Sequence, residues 1–203
     1  MKFTPRSEAT RQFIIETAAG IFNKKGYAGT SLSDLTEATR LTKGSIYGNF
    51  ENKEDVALAV FNFNAARRNK LVRDRLSRAA RPKEKLLAFI DLFSRDEIQH
   101  FPEGGCPLLN AGVEADDTHE PLRQRVAEEL IETQTELASI VRMGIQANEF
   151  QADTDAEKAA VALVALIQGG IFIARTTQNP FYLDTVLETA RKMVHDIETK
   201  STP

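Results

Sequence analysis

The stretch Thr42-Lys43-Gly44-Ser45-Ile46-Tyr47-Gly48-Asn49 gathers three hydroxyls, one ammonium and one carboxamide around two glycines four residues apart. These are groups that reach phosphate oxygens and the edges of bases. Residues four apart on an α-helix differ by about 40° in direction, so Ile46 and Phe50 share a face while Gly44 and Gly48 fall nearly opposite. A face without side chains lets backbone approach a large ligand closely, and a DNA major groove fits that description. Each glycine costs a helix about 1 kcal/mol relative to alanine, a loss that binding would offset. The competing reading is that the glycines permit close packing against another helix of the same chain.

A second reactive group is Cys106, the single cysteine, in GGCPLLN. Pro107 is a favoured first helical residue, so the thiol falls at the N-cap, where the helix dipole favours the thiolate. Glu103 opposes that shift. Cys106 is therefore a candidate thiol sensor, with a small buried hydrophobe as the plainer reading. An enzyme using Cys106 with His100 or His119 as base lacks an oxyanion-hole motif, so no catalytic residues are expected. One cysteine cannot build a zinc cluster, and His100, His119 and His195 show no HExxH or HxH spacing; no metal or cofactor is expected.

The chain has 203 residues, 42% hydrophobic and 27% charged, the balance of a soluble globular protein. Its net charge of −3 gives no support to a nucleic-acid partner by itself. Basic residues cluster between 67 and 85, from Arg67 to Lys85 with Asp74 and Glu84 among them, and read as a solvated helix face or a phosphate track. Nothing near the N-terminus reads as a secretory signal, which predicts a cytoplasmic protein. The longest apolar run, Ala159 to Ala174, falls short of the roughly 20 residues a bilayer span needs. A buried helix is expected there, with no membrane partner.

The elements that must position these groups all read as helices. Ile14, Ala18, Ile21 and Phe22, with Phe13 beside them, predict a first helix closed by Gly26. Ser31 caps a second through the S-x-x-D arrangement, and Thr42 can cap a third over 43–49 by accepting the amide of Ser45. A fourth runs from Lys53 toward Pro82, followed by helices over 82–100, from Pro107, from Pro121, from a cap at Asp153 or Thr154, and from Phe181. The prediction is all-α, with about nine helices. Two of them joined by the turn 39–42 form a helix-turn-helix, whose second helix enters the major groove.

The spacing of Gly26, Tyr27, Thr30, Ser31, Leu35, Ala38, Thr42 to Tyr47, Asn49, Phe50 and Lys53 resembles the DNA-binding domain of the TetR/AcrR family of transcriptional regulators, without a gap over about residues 8–60. The resemblance implies a helix-turn-helix DNA-binding domain at 1–52 and a ligand-binding and dimerisation domain at 53–203. It implies operator DNA contacts for Thr42, Lys43, Ser45, Tyr47 and Lys53. Ser31, Gly44, Gly48 and Asn49 complete the expected DNA-binding set. Asn49 stands where the family often has histidine or tyrosine, and its amide could read adenine. Arg40 replaces a frequent glycine in the turn.

Groove readers of this type pair two modules at half-sites about one turn apart, so a homodimer is expected. Ala162, Ala165, Gly169 and Gly170, with Leu187, Ala190 and Val194, are the expected dimer interface; a monomeric core is the alternative. Phe61, Phe89, Phe93, Phe101 and Phe172 are candidates for an apolar effector pocket, each also explicable as core. The expected function is a repressor released from its operator by a small-molecule effector or by modification of Cys106.

Overall fold

A computed structural model of the chain describes residues 6–199. The described residues form ten helices: α1 (Arg6–Gly29), α2 (Leu32–Thr39), α3 (Lys43–Tyr47), α4 (Lys53–Leu76), α5 (Pro82–Asp91), α6 (Arg95–Ile98), α7 (Pro107–Ala115), α8 (Glu120–Gln146), α9 (Ala156–Thr177) and α10 (Phe181–Asp196). Among them the extended pairing is an isolated antiparallel bridge between Phe150 and Glu198. The tenth helix arises because the expected helix over 82–100 breaks in two. Ser94 adopts extended backbone, φ −62 and ψ 161, between α5 and α6. The cap of α9 is Asp155, accepting the amide of Lys158 at 3.0 Å, not Asp153 or Thr154.

Packing divides the chain into two compact units, Met1–Asn69 with Phe101–Ala127, and Lys70–His100 with Glu128–Pro203. This grouping differs in kind from the division of roles expected at residues 52 and 53, whose outermost residues, 1–5 and 200–203, lie outside the described ones. Part of α4 and all of α7 pack in the same unit as α1 to α3.

In the first unit, α1 packs against α2 and α7. Ile14, Ala18, Leu35, Ile46, Phe50, Val56 and Val60 form its core. Gly44 is the glycine inside α3 and Gly48 is its C-cap, so burying Ile46, worth about 1.5–3 kcal/mol, exceeds the roughly 1 kcal/mol that Gly44 costs the helix. Packing alone therefore sustains α3. Gly26, at φ 76 and ψ 178, interrupts the helical dihedrals of α1, in a region of backbone space open almost only to glycine.

In the second unit, α10 packs against α9 and α5. Gly170 lets α9 meet α10 closely: a methyl group there would lie 2.8 Å from Val186 Cγ1. The 22-residue α9 is longer than the apolar run suggested, and by length and composition it could cross a membrane. It is also less buried than expected. Ala160, Leu163, Ile167 and Ile171 are buried, whereas Val161, Phe172 and Ile173 are exposed.

Candidate nucleic-acid interface

The turn between α2 and α3 is built from local hydrogen bonds. Ser31 accepts the amide of Asp34 at 3.1 Å, and Asp34 accepts the Ser31 amide at 2.7 Å, the reciprocal capping box that starts α2. Lys25, at 2.6 Å from Asp34, and the Ser31 amide and hydroxyl hold the Asp34 carboxyl well below the usual carboxylate range. At the other end Thr39 Oγ1 donates to the Leu35 carbonyl at 2.6 Å. Arg40 then takes the left-handed conformation, φ 59 and ψ 20, that a glycine adopts more cheaply. Thr42 opens α3 by accepting the Ser45 amide at 3.2 Å.

This arrangement leaves Gly44 and Gly48 exposed and buries Ile46 and Phe50. A methyl group at Gly44 would meet nothing nearer than Thr42 Oγ1 at 3.9 Å. The glycines therefore do not serve packing against another helix. Thr42 and Lys43 are exposed, Ser45 and Tyr47 half-buried, and the Lys43 ammonium lies 6.0 Å from the centre of the Tyr47 ring. Thus Thr42, Lys43, Gly44, Ser45, Tyr47 and Gly48 come together on one short segment whose anchors point inward.

Three other expected contacts carry local duties. The Ser31 hydroxyl also donates to Asp34 at 2.7 Å, so its one proton is committed to the cap. Asn49 commits one amide hydrogen to the Ser45 carbonyl at 2.8 Å, which tethers the group proposed to read adenine. Lys53, the first residue of α4, is half-buried with its ammonium 4.5 Å above the Tyr27 ring. Asn52 caps α4, accepting the Asp55 amide at 2.9 Å.

The basic residues between 67 and 85 are largely engaged. Lys70 meets Asp74, Arg75 meets Glu97, Arg81 meets Glu84 and Lys83 meets Glu198, while Arg68 is buried. That pattern fits a solvated, ion-paired face better than a phosphate track.

The expected effector and dimer residues fall in different surroundings. Phe61 lines a cavity of about 30 Å³ in the first unit, with Phe22, Tyr27, Asn64, Asn110 and Glu114. That space suits about two water molecules, well short of a drug-sized ligand. Phe101 is buried in the same unit, and Phe89 and Phe93 meet edge to face at 5.4 Å in the other. Phe172 lines no core, being 51% exposed on α9. Of the expected dimer residues, Gly170, Leu187, Ala190 and Val194 are buried between helices of their own unit. Ala165 and Gly169 are exposed and Ala162 half-buried, beside the exposed Val161, Phe172 and Ile173. Cys106 is the N-cap residue of α7, as the sequence predicts, but it is buried and its side chain caps no amide.

Two residues that the sequence does not connect with this unit's turn touch it. Glu114, near the end of α7, accepts the amides of Tyr27 and Ala28 at 2.6 and 2.7 Å. His119 meets the Tyr27 ring edge-on at 4.5 Å.

The chain matches two family models. Residues 14–60 match bacterial regulatory proteins of the tetR family, and residues 82–190 match the tetracyclin repressor-like C-terminal domain. A TetR-family transcriptional regulator from Cytophaga hutchinsonii is 47% identical and superposes with a TM-score of 0.95, covering 98% of this chain and 100% of that one. A TetR transcriptional regulator from Chloroflexus aurantiacus is 31% identical, with a TM-score of 0.89 over 97% of this chain and 99% of its own. The HTH-type transcriptional regulator TtgR of Pseudomonas putida is 26% identical over 170 residues, 80% of this chain and 79% of its own.

Proposed function

Because the chain belongs to the TetR family of transcriptional regulators, whose members are non-enzymatic DNA-binding proteins that act as dimers and respond to small molecules, we propose that it is a cytoplasmic, homodimeric repressor released from its operator by a small-molecule effector. Roles divide at the start of α4, with DNA reading in 1–52 and effector binding and dimerisation in 53–203. The observation that carries this reading is the exposed Gly44–Gly48 ridge, flanked by Lys43 and Tyr47 and anchored from behind by Ile46 and Phe50. Ser31, Thr42, Lys43, Gly44, Ser45, Tyr47, Gly48, Asn49 and Lys53 form the DNA-contacting set, in which Lys43 and Tyr47 contribute most because their polar ends are not committed to caps.

The dimer surface is the exposed face of α9, where Ala165 and Gly169 of the set read from the sequence stand beside Val161, Phe172 and Ile173, while Gly170, Leu187, Ala190 and Val194 of that set are buried within the protomer. A stripe of exposed apolar residues of this kind marks an interaction site. A small-molecule effector fits better than modification of Cys106, because the thiol is buried and a reagent would need a prior opening of α7. The effector must bind the DNA-incompetent state more tightly, since only differential affinity shifts such an equilibrium.

Selection of bound duplexes from a random pool tests the reading. One preferred, roughly palindromic sequence is expected, bound more weakly by Lys43→Ala and by Tyr47→Phe with unchanged helix content. Equal affinity in both variants would overturn the proposed docking.

A further inference from the structure

We propose that Glu114 is a positioning residue for the DNA-reading face: the corner between α7 and α8 clamps Tyr27 by its backbone and its ring, and Tyr27 in turn sets Lys53. This inference rests on the DNA-binding reading above, and all the residues it uses lie in the first compact unit.

Gly26 breaks the helical ladder of α1, which leaves the amides that follow it without the usual carbonyl four residues back. The Glu114 carboxylate accepts both of the next two, from Tyr27 and Ala28. Distances of 2.6 and 2.7 Å are those of charge-assisted bonds. The fit leaves no slack, for a methyl group at Gly26 would overlap the carboxylate. Thr30 closes the same turn by donating to the Gly26 carbonyl at 2.7 Å. Ser31, the cap of α2, comes next, so whatever fixes this turn fixes where the helix-turn-helix begins.

His119 supplies the second grip. Its Nδ1 accepts the Leu122 amide at 3.1 Å and so caps α8, which assigns the proton of the neutral ring to Nε2. Nε2 lies 3.7 Å from Glu54 Oε1, at the start of α4. The ring edge meets Tyr27 at an interplanar angle of 82°, and the Lys53 ammonium sits over the Tyr27 ring. A displacement of the α7–α8 corner therefore disturbs both the turn into α2 and the seat of Lys53.

Glu114→Gln keeps the size of the side chain but offers one acceptor oxygen where the two amides need two. The amide signals of Tyr27 and Ala28 in a nitrogen–proton correlation spectrum of the full chain should move upfield and exchange faster. Affinity for the duplex selected from the random pool should fall about tenfold, or about 1.4 kcal/mol, with dimer mass unchanged. His119→Asn keeps an oxygen for the Leu122 amide and loses the ring, and should weaken binding about threefold, or about 0.65 kcal/mol. This variant carries the test alone if Glu114→Gln does not fold. Shifted amide signals with wild-type affinity, or unshifted signals, would overturn the clamp. If the wild-type chain selects no sequence, the functional reading falls and amide exchange over Leu32–Tyr47 decides: faster exchange in Glu114→Gln sustains the clamp, and unchanged exchange overturns it.

Discussion

Gly44 separates two quantities that usually move together. It is exposed, at ordinary helical backbone, with open space where a methyl group would stand. Gly44→Ala should therefore raise stability by about 0.4–1 kcal/mol by restricting the unfolded chain, while lowering operator affinity because the methyl group stands on the face proposed to meet DNA. Thermal unfolding and a gel-shift titration on the same variant check the opposite signs; a variant gaining in both would show that the ridge does not approach the duplex. Asp34 gives a second test at this scale. Its carboxyl is held below the usual range, chiefly by Lys25 and then by Ser31, so its contribution is present above the unfolded value of about 3.9. That contribution is lost as pH falls through the lower folded value. Asp34→Asn should be less stable than wild type at neutral pH, with the difference shrinking below about pH 4 in acid unfolding followed by circular dichroism. Single residues in this region were legible because caps act over three residues: Ser31 with Asp34 and Thr42 with Ser45 both pair as their spacing predicts.

At the scale of helices, legibility stopped where neighbours decide the outcome. The run of small residues on α9 marks a close approach, but spacing alone does not say which glycine faces its own α10 and which faces away. Gly170 meets Val186, and Gly169 has nothing within 4 Å. Gly170→Leu should thus overpack the α9–α10 contact and cost about 1–3 kcal/mol, read as a lower melting temperature. Gly169→Arg should leave the fold of each protomer intact and dissociate the dimer, read by sedimentation; a stable dimer carrying that arginine would move the interface elsewhere. The break between α5 and α6 was hidden for a related reason. Phe89, Ile90 and Phe93 keep a helical spacing up to it and are all buried, and between it and Phe101 the one aliphatic residue is Ile98, so the apolar pattern does not locate the break at Ser94.

For the whole molecule, a net charge of −3 means that DNA affinity depends on where a few cations sit rather than on overall attraction. Removing one phosphate-contacting cation reduces the salt slope of binding by about one, and a dimer carries each cation twice. Lys43→Ala should therefore lessen the slope of log affinity against log salt by about two, measured by fluorescence anisotropy on the selected duplex. An unaltered slope would remove Lys43 from the phosphate contacts. The proposed division of roles at residue 53 rests on local motifs, whereas the membership of 101–127 in the first unit could not be read from the sequence, since contacts such as Glu114 to Tyr27 span 87 residues. That separation has a consequence for synthesis. At about 5–20 residues per second, Glu114 is added about 4–17 s after Tyr27. Throughout that interval a growing polypeptide on the ribosome carries an unclamped turn, so under the proposed clamp its Tyr27 and Ala28 amides have yet to meet the carboxylate that holds them in the finished chain.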